Sequence, residues 1–220
     1  MRTRERLTGL KNWITTELCE GRQMKAPGKN MSLADIKKQE PVCYLAWTPG
    51  RFDQTGQQIM QDILSTVPSI IVMPNQAYVK YMEEKRFDRY NNVHRPSELG
   101  QHLSVSILFS VYEPGIRLPG FTDSIGENGQ GMDLSLIMEG TEEGLFTLTD
   151  WMDDCTQALL RDKYIPGTDL FLEENTATYS LYTDQSYIVD RRPLYYGFIN
   201  VNFGCYANEG VNSEINDLLL

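Results

Sequence analysis

The chain has 220 residues, of which 41% are hydrophobic and 23% charged, and its formal net charge at pH 7 is −10. This composition is typical of a folded globular protein with a core of useful size and excludes a largely disordered chain. The acidic balance argues against a nucleic-acid-binding surface, which would show a basic patch. No stretch approaches the ~20 apolar residues of a membrane span, and no apolar run follows the charged start, so we expect no membrane helix and no signal peptide.

The first third of the chain predicts one long helix followed by short elements. Apolar residues recur at helical spacing over residues 3–20 and stop at Gly21, which predicts an amphipathic helix. Ser32 and Asp35 predict the cap of a short helix before Pro41. The next predicted elements are a strand over 42–47, one or two helical turns over 56–67 and a buried strand over 69–74.

The middle of the chain contains a confident strand between two insertions. Tyr78, Tyr81 and Met82 share one helical face opposite a charged run, which predicts a helical insertion over about 75–95. Residues 103–112 alternate between apolar side chains and serines, the pattern of a strand with one buried face. The Gly- and Pro-rich segment 113–144 is too long for an ordinary connection, and we interpret it as a long loop or arm.

The last third of the chain predicts a helix and a long terminal strand. Residues 145–160 carry an apolar stripe at helical spacing, and a short strand is predicted near 178–182. Over 194–205 every second residue is apolar or small, which predicts one buried strand face. The opposite face begins with Leu194, Tyr196 and Phe198 and ends with Asn200 and Asn202, so it is apolar at the start and polar at the end. Residues 207–220 form a tail that we expect to be loosely ordered.

Motifs for catalysis or metal binding are scarce in this sequence. The four cysteines are scattered without a C-x-x-C pair, which favours reduced core residues and an intracellular site of assembly. The two histidines have no neighbouring His or Cys at a ligand spacing, so no metal site is predicted. The glycines of 126–131 lack the order and the Lys-Ser/Thr of a phosphate loop, and the acidic doublets are typical of solvated helix faces. We therefore predict no enzyme, no catalytic residue and no cofactor.

These elements together predict an α+β protein. The expected architecture is an antiparallel or mixed sheet with amphipathic helices packed on one face, and a long central loop or arm inserted. We expect a single domain over residues 1–206, with insertions at about 75–95 and 113–144, followed by the tail 207–220. The chain also has 12 tyrosines and 8 phenylalanines, and aromatic residues and arginines outside a core often mark contacts between proteins.

The order of these elements resembles the tail terminator, or tail completion, proteins of long-tailed bacteriophages and phage-like tail particles. The shared pattern is an N-terminal amphipathic helix, a strand such as "LSVSILFSVY", a helix such as "LTDWMDDCTQALL", a short strand and a last strand ending in "YYGFINVNF". It covers about residues 99–206 and the first helix. The additional segments at 76–95 and 113–144 depart from the compact members of the family, and they would suit a terminator of a larger, contractile tail.

The resemblance implies a structural virion protein rather than an enzyme. Subunits of that family form a closed ring, commonly a hexamer, that caps the tail tube, ends tube polymerisation and provides the surface on which the head docks. The implied partners are the chain itself, the tail tube protein, and sheath and neck or connector proteins, with DNA only as cargo passing through the lumen. The implied location is the tail and neck region of the virion, after assembly in the host cytoplasm, and no membrane is involved. The candidate subunit or partner contacts are Arg117, Phe121, Ile125, Arg191, Arg192, Tyr196 and Phe198.

Two other functions remain open from the sequence. One is a neck, head-completion or baseplate component of the same particle, and the other is a monomeric, non-catalytic binding module. For Arg191 and Arg192 a surface ion pair of small energetic value is the simpler interpretation.

The long arm yields a first prediction. Deleting residues 117–130 should leave a folded chain that no longer forms rings, because an extended arm can add a strand to a neighbour's sheet edge. Circular dichroism and the mass in solution test this, and unchanged ring assembly would contradict it.

Overall fold

The structure is a computed structural model that describes residues 1–28, 36–50, 65–81, 99–117, 138–139, 142–173, 176–181, 183–184, 187–188 and 193–206. The predicted tail 207–220 and most of the predicted helical turns over 56–67 lie outside the described residues. So does most of the arm 113–144.

The described residues contain two long helices. Helix α1 spans Thr3–Ile14 and continues as one π-helical turn, Thr15–Cys19, while helix α2 spans Glu143–Asp162. The strands are β1 Met24–Pro27, β2 Ile36–Gln39, β3 Val42–Leu45, β4 Ser69–Tyr81, β5 Leu99–Tyr112, β6 Ile116–Arg117, β7 Met138–Glu139, β8 Leu170–Leu172, β9 Thr178–Leu181, β10 Thr183–Asp184, β11 Tyr187–Ile188 and β12 Leu194–Tyr206. No helix among these residues is long and apolar enough to cross a membrane.

Six of the strands form one mixed sheet. Their order is β3-β4-β5-β12-β8, and β9 pairs with β12 along the same edge as β8. Strand β3 is parallel to β4, and all the other pairings in this sheet are antiparallel. The fold is therefore α+β, as predicted. Three two-stranded ribbons, β1-β2, β6-β7 and β10-β11, accompany the sheet.

Both helices lie on one face of this sheet, which we call the inner face. Apolar residues of α1 and α2 share one buried cluster with alternate residues of β4, β5 and β12. At its centre the rings of Phe109 and Trp151 meet edge to face, with their centroids 5.3 Å apart. The Trp151 indole also donates a hydrogen bond to the Leu18 carbonyl (3.1 Å), which ties α2 to the π-helical turn.

Strand β12 allows α2 to approach closely because it has a glycine at the point of contact. A Cβ atom on Gly197 would lie 2.5 Å from the Met152 sulfur, well inside van der Waals contact. Further along the same face, Ile199, Val201 and Phe203 are all fully buried. The predicted covering of this strand face by the second helix is thus confirmed.

A buried ion pair anchors the other helix. Arg6, only 2% exposed, donates to both oxygens of Asp169 from Nε (2.7 Å) and Nη2 (2.6 Å), and so links α1 to the chain that enters β8. Burial by itself would raise the pKa of Asp169, but the hydrogen bonds and charge of Arg6 outweigh it and hold that pKa below its ordinary value of 3.8. The carboxylate therefore stabilises the fold at neutral pH.

Parts of two predicted helices are strands instead, while Ser32, Asp35 and the remainder of the 75–95 segment after Tyr81 lie outside the described residues. Residues 76–81, expected to begin a helical insertion, continue β4 and pair with Leu99–Ser104 of β5. The short helix expected before Pro41 is replaced over Ile36–Gln39 by β2, which pairs with β1. In both places the cross-strand partner is distant in sequence, so a local pattern does not reveal it. The arm 113–144 begins and ends in a ribbon, because Ile116–Arg117 pair with Met138–Glu139.

The ion pair gives a stability prediction. Asp169→Asn should lower the free energy of unfolding at pH 7 by about 3 kcal/mol, the lower end of the range for removing one partner of a buried pair. Because the pKa of Asp169 is lowered in the folded state, this difference should be complete above about pH 4 and shrink as the pH falls further. Urea unfolding of both proteins along a pH series measures it.

The matched control is Asp153→Asn, which removes an exposed carboxylate of α2. Equal stabilities of the two variants at pH 7 would contradict the assigned role of Asp169.

Candidate assembly surface

The face of the sheet opposite the helices, which we call the outer face, carries the side chains that alternate with the core. On β5 these are mainly serines, and on β12 they change from apolar to polar along the strand. Strand register shows which residues lie side by side on this face, and it divides the face into an apolar part and a polar part.

One row of the outer face is apolar across four strands. Directly paired residues on β3, β4, β5 and β12 are, in that order, Tyr44, Ile71, Leu108 and Phe198. Each of the four is partly exposed to solvent. We call these four residues the apolar row. Its members come from four distant parts of the chain and form a continuous strip across the sheet.

A small buried cluster lies at the amino end of β12 on the same face. Val67, Tyr112 and Leu194 are buried against one another, and the half-buried Tyr196 packs on them. Next to Tyr196 the hydroxyls of Ser69 and Ser110 are hydrogen-bonded at 2.7 Å and buried. Tyr196 therefore has a structural role in the subunit as well as a partly exposed ring.

The other part of the outer face is a hydrogen-bonded polar surface. The amide of Asn75 donates to the Ser106 hydroxyl (2.6 Å), which in turn donates to the side-chain oxygen of Asn200. These two hydrogen bonds cross β4, β5 and β12 directly beside the apolar row. The change from apolar to polar along β12 therefore continues across the neighbouring strands.

The edge of β12 has an irregularity at the polar end. Five residues, 173–177, lie between β8 and β9, opposite only two residues of β12. Thr176 ties this connection to β12, since its hydroxyl accepts from the Asn202 amide (3.2 Å) and donates to the Glu173 carbonyl (2.8 Å). The Glu173 carboxylate contacts Nδ1 of His102 on β5.

Three of the seven predicted contact residues lie among the described residues, and four do not. Tyr196 and Phe198 lie on the outer face as expected, Tyr196 on the buried cluster and Phe198 in the apolar row. Arg117 is in the short strand β6. The remaining candidates, Phe121, Ile125, Arg191 and Arg192, lie outside the described residues.

Sequence reasoning missed the partners of Phe198. Tyr44, Ile71 and Leu108 lie on three different strands, and the local sequence of each strand does not indicate that they meet Phe198. Only the pairing register brings them together. It also missed Trp47, which is 78% exposed just after β3.

The helical side of the molecule has a charged groove of about 360 Å³ between the π-helical turn and α2. Its two arginines are already neutralised within the chain: Arg22 pairs with Asp154, and Arg161 pairs with Glu17 (2.7 Å) and Asp162 (2.6 Å). In the part of the chain that the structure describes, no group of three or more His, Cys, Asp or Glu residues could hold a metal ion.

All four cysteines are buried and reduced. Burial raises the pKa of the Cys19 and Cys43 thiols to about 12 and that of Cys205 to about 11, and it raises the pKa of Cys155 as well. Reactive cysteines need the opposite, a lowered pKa and access to solvent. These thiols therefore act as core side chains, as predicted.

No protein-family model matches the sequence, and a search of curated proteins finds no relative.

The buried thiols give a direct prediction. At pH 8 the folded chain should react with a thiol reagent such as Ellman's reagent far more slowly than free cysteine does, because almost no thiolate is present or accessible. After unfolding in guanidinium, all four thiols should react. A thiol that reacts in the folded protein as fast as free cysteine would contradict the placement of these residues.

Proposed function

We propose that this chain is a structural subunit of a phage-type tail, forming a ring that caps the end of the tail tube and provides a docking surface for the head or neck. The observation that carries the proposal is the partly exposed apolar row on the outer face, in a subunit whose two described helices both cover the inner face. Burying such a strip stabilises an assembly by about 25 cal/mol for each Å² of apolar area removed from water.

The order of the elements supports this proposal. The described fold runs from an N-terminal amphipathic helix through the long strands β4 and β5 to α2, the short strand β9 and β12. This is the order on which the resemblance to tail terminator proteins rests. The closest rival within the same particle, a neck or baseplate component, would use the same kind of surface at a different position.

The charge of the chain suits a ring through which DNA passes. A net charge of −10 per subunit is repeated in every copy, and a lumen with acidic walls repels phosphates rather than binding them. The ring would then contact DNA only as passing cargo.

Electron microscopy of the chain mixed with purified tail tubes tests the function. We expect rings at one end of each tube and none along its sides. Binding at the tip-complex end would instead favour a baseplate component. No binding to tubes at all would favour a separate binding module and contradict the proposal.

The apolar row gives a matching mutational prediction. Phe198→Asp should abolish capping of tube ends while leaving the far-UV circular dichroism and cooperative unfolding intact, because a carboxylate on a surface that is buried on assembly is costly. Tyr196→Asp should also lower the stability of the subunit, since Tyr196 packs on Val67, Tyr112 and Leu194.

The control is Leu160→Asp, which alters a 57% exposed side chain on α2, away from the outer face. If Phe198→Asp capped tail-tube ends as often as the Leu160→Asp control does, the apolar row would not be the assembly surface.

A further inference from the structure

Within the part of the chain that the structure describes, β3 is an open edge of the sheet. This strand pairs with β4 alone among the described residues. The Val42 amide donates to the Pro68 carbonyl just before β4 (3.3 Å), and the Ala46 amide donates to the Val72 carbonyl in β4 (2.9 Å). Because backbone groups alternate in direction along a strand, those of Cys43 and Leu45 point away from β4. An edge of this kind is a template for another strand.

The chain leaves this edge through a strained turn that exposes a tryptophan. Ala46 has a φ of +67°, a conformation that residues other than glycine rarely adopt. The Trp47 amide donates to the Leu45 carbonyl (2.9 Å), which closes a γ-turn around Ala46. Trp47 is 78% exposed as a result. Local strain of this kind persists where it serves a function, and tryptophan is prominent among residues that anchor protein interfaces.

On the opposite side of the sheet, β9 is an open edge as far as the described residues extend. The outer side of β8 is occupied, since Leu172 and Ile165 form backbone hydrogen bonds that connect β8 to the chain at 163–165. Strand β9, in contrast, pairs only with β12 within the described part of the chain. It carries Tyr179, which is 45% exposed.

The two open edges are complementary in direction and length. Strand β5 is antiparallel to both β4 and β12, so β4 and β12 point the same way. Because β3 is parallel to β4 and β9 is antiparallel to β12, β3 and β9 point in opposite directions. Each of the two has four residues. Rotating a copy about an axis roughly parallel to the strands preserves their direction, so β3 of one copy would meet β9 of the next in an antiparallel pair.

We propose that copies of this chain join head to tail by pairing the β3 edge of one subunit with the β9 edge of the next, with Trp47 packed beside Tyr179 of the neighbour. Antiparallel pairing places the carboxyl end of β3, where Trp47 follows, next to the amino end of β9, where Tyr179 lies. The inference rests on the proposed ring and specifies how it is closed. A head-to-tail contact uses two different edges and generates a ring when the rotation between subunits closes, whereas a twofold dimer uses one edge twice and leaves the other open.

Two single variants and their mixture test the contact. Trp47→Lys places a charge just after the β3 edge, in the proposed contact with Tyr179, and Tyr179→Lys places one on the β9 edge itself, where a lysine opposes further pairing. Each variant therefore disables only one of the two edges. Phe146→Lys, at a 51% exposed position on α2, is the control. The mass of each protein is measured by light scattering, and rings at tube ends are counted by electron microscopy.

We expect the wild type and the control to form rings, and each edge variant to remain at the 25.2 kDa of a single chain. An equimolar mixture of the two edge variants should yield a dimer and nothing larger, because it restores one junction and leaves two ends blocked. Circular dichroism should show the same fold for all four proteins.

The contrary outcomes separate this inference from the proposed function. Rings formed by either edge variant would overturn the head-to-tail contact, even if those rings cap tubes. Wild-type rings that depend on both edges but ignore tail tubes would overturn the function and leave the contact standing. A wild-type chain that stays monomeric at every concentration and does not bind tubes would overturn both.

Discussion

The pairing of β12 with β5 is the constraint on which the rest of the molecule depends. All thirteen residues of β12 pair with β5, and this one register decides which side chains enter the core and which face outward. A slip of one residue would exchange the two faces, moving Phe203 out of the core and Asn202 into it. The close approach of Met152 to Gly197 opposes such a slip. Gly197 is the only glycine of β12 on the inner face, and a slip would bring a residue with a side chain against Met152.

Helix placement and register together produce the outer face. Both described helices are on the inner face, so outside the buried cluster of Val67, Tyr112 and Leu194 most of the described side chains of the outer face are partly exposed. The apolar row lies beside the hydrogen-bonded chain from Asn75 to Asn200 because β5 pairs with both β4 and β12, and Asn75 reaches Ser106 from the register shift between Pro74 and Gln76. In the proposed ring, the edges at β3 and β9 would form the contacts between neighbouring subunits, and the outer face would bind the partner of the ring.

Much of this fold is predictable from the sequence, for reasons that particular elements make clear. The alternation in β5 and β12 and the stripe of α2 span many residues, and each period matches the buried face that the structure shows. Residues 76–81 mislead because Tyr78 and Tyr81 are spaced to fit a helix, yet pairing with the distant β5 decides their conformation.

The assembly surface is less predictable than the fold. Phe198 is visible from the sequence as an apolar residue on the second face of its strand, but its neighbours in the apolar row come from strands whose order and register no local pattern specifies. The γ-turn that exposes Trp47 cannot be predicted from a glycine in the sequence, because Ala46 occupies the position with positive φ.

The central claim is that this chain closes into a ring that fits the end of a tail tube. Native mass spectrometry over a concentration series, with and without short tube fragments, tests it most directly. The account requires one closed oligomer of fixed subunit number, six by the resemblance to tail terminators, with no intermediate sizes accumulating. A continuous ladder of masses, or a monomer that persists in the presence of tube ends, would contradict it.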